Sequence, residues 1–147
     1  MFVLETLWLI QLAVCSVMTG MIWQVQLLTY PQFLNVRADN FAVYHQSHTR
    51  RMGWLVMPVM TVELALALMI AVQSPTVVSI TALGLLSIVW ASTALIQVPL
   101  HHRLSNGFHE PTIRSLILSN WIRTITWSIR CILICNYMAI TSLLDKV

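Results

Sequence analysis

The stretch of residues 6–28 constrains the fold most, because it has no charged side chain and is long enough to cross a bilayer. An α-helix rises about 1.5 Å per residue, so about 20 apolar residues span the hydrocarbon core. Two more apolar stretches, 53–72 and 77–98, have this length, and a fourth, 113–144, exceeds it. The sequence therefore predicts an all-α integral membrane protein, a bundle of four transmembrane helices.

The composition agrees with a protein that lies mostly in lipid. Hydrophobic residues make up 58% of the 147 residues and charged residues 9%, against about 25% charged residues in soluble domains. We therefore expect residues 1–147 to form a single transmembrane domain with the lipid bilayer as its surroundings. The net charge of +3 comes without a basic run, so no nucleic acid partner is predicted.

The distribution of basic residues predicts the orientation. The loops after the first and third spans contain Arg37, Arg50, Arg51, Arg103 and Arg114, whereas the opposite side has Lys146 alone. Because loops rich in Lys and Arg stay in the cytoplasm, we expect the N-terminus and the C-terminus outside. The acidic flank at residues 1–5 is untypical of a cleaved signal peptide, so we expect the first span to be retained. The predicted location is the inner (plasma) membrane, as a multi-pass protein.

The connections between the spans carry most of the polar residues. Pro31 and Pro99 are expected to end the first and third spans, because proline disfavours a helical conformation at the residue before it. Residues 32–51 mix basic and aromatic side chains and are expected to lie against the lipid headgroups. A turn is predicted at residues 106–107, and Pro111 suits the first turn of the fourth helix.

The fourth stretch is longer than a bilayer needs, so its first turns, with Arg114, are expected to project beyond the lipid. Deeper in the predicted spans lie three ionisable residues, Glu63, Arg123 and Arg130. Each costs about 2.5 to 3.5 kcal/mol in a membrane helix and needs a partner or a polar cavity. Asn120, Arg123, Trp127 and Arg130 recur at spacings of 3, 4 and 3, which puts them on one helical face. We predict a buried ion pair between Glu63 and Arg130, with Asn120 and Trp127 as contacts for a bound cofactor. Alternatively, the pair only fixes helix register.

Four histidines approach the same predicted cytoplasmic side: His45 and His48 before the second span, His101 and His102 after the third. Imidazole is the commonest metal ligand and a proton carrier near neutral pH. These four are therefore candidate metal ligands, with Zn, Cu and Fe undecided. The alternative is that they are polar neighbours of the headgroups, and the nearby arginines disfavour a bound cation.

Several segments together resemble a known family. These are residues Gly20 to Gln26, Tyr30-Pro31, Tyr44 to Arg51, Val98 to Leu104, and Asn120 to Trp127 with Arg130. The pattern resembles small bacterial four-span membrane proteins related to the anthrone-oxygenase-like family. The resemblance implies a membrane oxidoreductase, since named fungal relatives oxidise a polycyclic anthrone with molecular oxygen.

Three kinds of function are compatible with these residues. The first is an oxidoreductase acting on a lipophilic small molecule, with His48 and His101 as proton carriers or metal ligands. Arg123, Arg130 and Glu63 complete its candidate catalytic residues, the arginines stabilising developing negative charge. The second is a non-catalytic binder or carrier of an amphiphilic ligand. The third is a small structural subunit of a membrane complex, and a homo-oligomer is also compatible with the small residues in the spans.

Overall fold

Four long helices follow one another in the computed structural model, which describes residues 2–144 and the side chains of residues 3–143. They are α1 (Val3–Asn35), α2 (Phe41–Gln73), α3 (Val77–Leu104) and α4 (Glu110–Leu144). All four are long and apolar enough to cross a membrane, and no strand occurs in the described residues. The predicted all-α, multi-pass membrane bundle is confirmed.

Each helix packs against its neighbours in the chain, and α1 also packs against α4, which closes the bundle. The large side chains that fill the interior include Met18, Phe33, Met60, Leu86 and Trp127. We call the end that contains the loops 36–40 and 105–109 the histidine end, and the end that contains the turn 74–76 the terminal end. The two ends differ in how much polar chemistry they bring into the bundle.

A π-helical turn interrupts both α1 and α3 just before a proline. In α1 the turn is Val25–Thr29, followed by Tyr30-Pro31, and in α3 it is Thr93–Gln97, followed by Val98-Pro99. Proline has no N–H to donate and its ring collides with the carbonyl four residues earlier, and the wider π turn accommodates both effects. The prediction that these prolines end the spans is therefore wrong. Both helices continue past the proline, to Asn35 and Leu104.

The polar segment after α1 also differs from the prediction. Only residues 36–40 form a loop, and α2 already begins at Phe41. Most of the segment 32–51 that was expected along the headgroups therefore belongs to α1 and α2, and its side chains take positions on helix faces. This brings the buried His45 into the interior of the bundle.

The remaining connections follow local sequence signals. Thr76 and Ser79 form a capping box at the start of α3, with the Thr76 N–H donating to Ser79 Oγ at 2.9 Å. The predicted turn at residues 106–107 is present, and Gly107 has φ of 134°, a conformation that other residues rarely adopt. Pro111 is the second residue of α4, as its lack of an N–H favours.

Candidate functional site

Arg130, on the polar face of α4, is fully buried. The Arg130 Nη1 forms an ion pair with Glu63 Oε1, and its Nε donates to the carbonyl of Ala82 at 2.9 Å. The other carboxylate oxygen of Glu63 accepts from Trp127 Nε1 at 3.1 Å. The predicted ion pair is present, and these four residues, the Arg130 cluster, join α2, α3 and α4.

Two helical turns nearer the histidine end, Arg123 is also buried, with 7% of its surface exposed. Its Nε and Nη2 donate to Asn120 Oδ1, and Nη2 also donates to Tyr30 Oη at 3.1 Å. None of the ion pairs among the described residues includes Arg123. We call Arg123, Asn120, Tyr30 and the residues bonded to them the Arg123 cluster. Its cation is held by neutral groups.

Two glutamines attach the π turns to α4. The Gln26 Oε1 accepts from Asn120 Nδ2 at 2.8 Å, and its Nε2 donates to the carbonyl of Ile117 at 3.2 Å. Gln97 is the last residue of the second π turn, where its Nε2 donates to Ser119 Oγ at 3.4 Å and its Oε1 accepts from Ser92 Oγ at 3.0 Å. Because Asn120 Nδ2 donates to Gln26, the Asn120 amide is oriented with its Oδ1 toward Arg123. The π turn of α1 thereby orients the guanidinium.

A hydrogen-bonded chain leads from Arg123 to two histidines. Tyr30 Oη lies 3.0 Å from His101 Nε2, and His101 Nδ1 lies 2.9 Å from His45 Nε2. The Nδ1 of His45 is buried without a hydrogen-bond partner among the described residues. Because each imidazole can hold its proton on either nitrogen, the chain can run in both directions. Tyr30 can therefore either accept a hydrogen bond from His101 Nε2 or donate its hydroxyl to it.

The aromatic rings around the histidines fix their orientation. Phe41 stacks on His45 with ring centroids 5.6 Å apart, and Phe33 meets His48 edge to face at 5.0 Å. His48 in turn stacks on His101 at 6.4 Å. The imidazole rings of His45, His48 and His101 therefore form one packed group at the histidine end of the bundle.

His102 does not join this group, which differs from the predicted set of four ligands. It is exposed, because the residue after His101 on a helix points about 100° away from it. In the described part of the chain, no three His, Cys, Asp or Glu side chains are arranged to hold a metal ion. His45 and His101 offer a pair of nitrogens, and a metal site built from His45, His48, His101 and His102 gains no support.

A cavity of about 290 Å³ lies beside the Arg123 cluster. Its polar lining includes Tyr30, His48, His101 and Arg123 together with two threonines, and Trp127 forms part of the wall. The apolar lining is rich in methionine: Met18, Met21, Met52, Met57 and Met60. Methionine is flexible and adapts to ligands of different shape. The cavity thus combines one end that donates hydrogen bonds with an adaptable apolar remainder.

Part of the cavity lining is exposed on the surface of the bundle. Of its lining residues, Met57 on α2 is 46% exposed and Val98 on α3 is 57% exposed. Both lie on helices that are apolar enough to face acyl chains. Side chains that line the cavity therefore also form part of the outer surface of these helices.

The sequence pointed to some of these residues and missed others. His48, His101, Arg123 and Trp127 line the cavity. Glu63 and Arg130 do not line it; they belong to the Arg130 cluster, which reaches the cavity wall through Trp127. Asn120 orients Arg123. Sequence reasoning missed Tyr30, Gln26 and Gln97 as functional residues. A glutamine inside an apolar span, a few residues before a proline, was the signal for Gln26 and Gln97.

Comparisons with known proteins add no family. No protein-family model matches the chain, and neither the curated proteins nor the solved structures contain a similar one. The resemblance to the anthrone-oxygenase-like family therefore remains a prediction.

Proposed function

We propose that this membrane protein binds a lipophilic small molecule through an oxygen-bearing headgroup that contacts Arg123. The single observation behind the proposal is that Arg123 is buried, lines the cavity and has no carboxylate partner among the described residues. The headgroup is an anion or a hydroxyl or carbonyl oxygen that accepts from the guanidinium. The apolar part of the ligand fills the methionine-lined part of the cavity.

A buried guanidinium needs more hydrogen-bond acceptors than Arg123 has among the described residues. An ion removed from water carries a penalty of several kcal/mol that neutral hydrogen bonds offset only in part. Asn120 and Tyr30 accept from Nε and Nη2, and no hydrogen bond donated by Nη1 is found among the described residues. A ligand oxygen in the cavity supplies the missing acceptor. Intramembrane charges without a partner are for this reason typical of ligand sites.

The dimensions of the cavity select ligands of one to three fused rings or a comparably short chain. Ligand cavities of about 300 Å³ are at the small end of the usual range, and 290 Å³ is close to that limit. A single guanidinium matches one negative charge or one polarised oxygen. A dianionic phosphate headgroup would remain undercompensated in this apolar site.

The test compares two probes that differ by one hydroxyl, 1-naphthol and naphthalene, binding to the protein in lipid nanodiscs. A hydrogen bond to a charged group contributes about 1.5 to 3 kcal/mol, so we expect wild-type protein to prefer 1-naphthol at least about tenfold after correction for lipid partitioning. The preference should vanish in Arg123→Met. Arg103→Met is the matched control, because Arg103 is exposed at the same end and should leave the preference unchanged. Equal preference in Arg123→Met and wild type would refute the proposal.

A second candidate function is catalysis, favoured by the Tyr30–His101–His45 chain. A chain that can run in both directions can take a proton from a bound substrate hydroxyl or C–H and return it. We propose an oxidoreductase acting on anthrone-like compounds as this second candidate, with molecular oxygen as the oxidant. One anthrone and one O₂ then give one anthraquinone and one water.

Oxygen uptake with anthrone distinguishes the two functions. For an oxidoreductase, uptake by protein in liposomes exceeds that of empty liposomes, matches anthrone consumption one to one, and falls about 10²-fold or more in His101→Gln. Uptake equal to that of empty liposomes, together with an intact 1-naphthol preference, leaves binding as the function. His102→Gln serves as the control because His102 is exposed outside the cavity.

We also propose that the histidine end faces the cytoplasm of the inner (plasma) membrane, with both termini outside. The support is the exposure of Arg50, Arg51, Arg103 and Arg114 at that end. An alkaline phosphatase fused to the C-terminus should be active in bacterial cells, whereas a fluorescent protein that folds only in the cytoplasm should stay dark there. The reverse pattern would overturn this orientation.

A further inference from the structure

A second, much smaller cavity lies on the terminal-end side of Arg130. Its volume is about 10 Å³, and its polar lining comes from Trp8, Gln11, Ser79 and Arg130. Trp8, Gln11 and Arg130 are at most 4% exposed. The cavity is therefore enclosed by side chains of the bundle and is separate from the ligand cavity near Arg123.

Four polar atoms of these side chains have no hydrogen-bond partner among the described residues. They are Trp8 Nε1, Gln11 Nε2, Gln11 Oε1 and Arg130 Nη2. A buried polar atom without a partner costs about 1 to 3 kcal/mol, and more when it is charged. Ser79 is otherwise engaged, since its Oγ donates to the Ser74 carbonyl at 2.7 Å. The unpartnered atoms come from three residues that line one cavity, which indicates a shared ligand.

We propose that this cavity is a binding site for a single water molecule. The water accepts from Arg130 Nη2 and Trp8 Nε1 and donates to Gln11 Oε1, which gives it the usual three hydrogen bonds of a buried water. A volume of about 10 Å³ is the least that holds one water. Any larger molecule is excluded by size.

The charge of the site selects water over a small anion. Glu63 already balances the charge of Arg130 through their ion pair. A halide in the cavity would leave one uncompensated negative charge in the apolar interior, at a cost of several kcal/mol. The Oε1 of Gln11 also requires a donor, which water has and a halide lacks.

The water gives Arg130 a connection to every helix. Glu63 lies on α2 and the Ala82 carbonyl on α3, and the water adds Trp8 and Gln11 on α1. Arg130 then holds the terminal half of the bundle together with all its nitrogens bonded. This explains how the buried Arg130–Glu63 ion pair is tolerated in the apolar interior of the bundle.

The test uses two tryptophans of the same protein. The Trp90 Nε1 is likewise buried without a partner, but Trp90 lines neither of the two cavities described above. In ¹⁵N-tryptophan-labelled protein in nanodiscs, we expect a cross-peak to long-lived water at the Trp8 indole N–H and none at Trp90. Trp8→Phe and Trp90→Phe assign the two signals. No water cross-peak at Trp8, or equal ones at both indoles, would overturn the proposal.

A variant and an ion exchange complete the experiment. Gln11→Leu removes the acceptor, and we expect it to abolish the Trp8 cross-peak while the Trp90 signal keeps its position, which shows that the fold is intact. A Trp8 signal that shifts when chloride is exchanged for bromide would show an anion in the cavity and would overturn the water assignment. The wild-type comparison of Trp8 with Trp90 stands even if Gln11→Leu does not fold.

Discussion

The Arg123 and Arg130 clusters are each built around an arginine. The two arginines lie seven positions apart on the same face of α4 and differ in their partners. Arg130 has the Glu63 carboxylate and the Ala82 carbonyl and is fully enclosed. Among the described residues Arg123 donates to the Asn120 amide oxygen and the Tyr30 hydroxyl and pairs with no carboxylate, and it lines a cavity. The helix face determines where a charge enters the bundle. The partners determine whether the charge holds helices together or, as we propose for Arg123, binds a ligand.

Removing the carboxylate of the closed cluster should have the largest effect on stability. Glu63→Ala leaves Arg130 buried without its counter-ion, and we expect the free energy of unfolding to fall by about 3 to 5 kcal/mol. The measurement is reversible unfolding in mixed micelles, followed by circular dichroism.

The double variant Glu63→Leu with Arg130→Met is the control for this effect. Replacing both members of a buried pair by apolar side chains of similar volume is often neutral. Most of the lost stability should therefore return. A double variant as unstable as Glu63→Ala would show that the loss came from packing and not from the unpaired charge.

Arg123→Met should separate stability from binding. Without ligand, we expect its free energy of unfolding to change far less than that of Glu63→Ala, because no carboxylate is left unpaired. A ligand at 100 times its dissociation constant stabilises the folded protein by about 2.7 kcal/mol. If Arg123→Met lowers the affinity for 1-naphthol tenfold, this stabilisation falls by about 1.4 kcal/mol. Equal stabilisation of both proteins by 1-naphthol would contradict the difference drawn between the two arginines.

The sequence predicted the closed cluster better than the open one, for a physical reason. Glu63 and Arg130 are charges in apolar helices, so each requires a partner, and helical rise limits which partner is in reach. The open cluster depends on neutral residues such as Gln26 and Tyr30, which carry no comparable cost and give a weaker signal. Its geometry also depends on the π turns of α1 and α3. These turns let both helices continue past Pro31 and Pro99, where the prolines in the sequence predict a helix end.

Tyr30→Phe should have a smaller effect that is confined to the open cluster. The change removes the oxygen between Arg123 Nη2 and His101 Nε2, and one net hydrogen bond contributes about 0.5 to 1.5 kcal/mol. We expect a loss of about 1 kcal/mol in unfolding and a weaker preference for 1-naphthol. Tyr44→Phe is the matched control at the same end, since Tyr44 is exposed and its replacement should stay within about 0.5 kcal/mol. Equal losses in the two variants would argue against the chain from Arg123 to His101.

The smallest effect on the free energy of unfolding is expected for the exposed ion pair between Arg114 and Glu110. Arg114 Nη2 and Glu110 Oε1 lie 2.7 Å apart on the first turns of α4, with 66% and 51% of their side chains exposed. An exposed pair four residues apart on a helix contributes about 0.3 to 0.5 kcal/mol, because water screens it and both side chains lose freedom. Arg114→Ala should therefore cost about a tenth of what Glu63→Ala costs, and 1 M salt should remove most of that loss. A loss as large as that of Glu63→Ala would mean that burial does not set the difference between the Glu110–Arg114 and Glu63–Arg130 ion pairs.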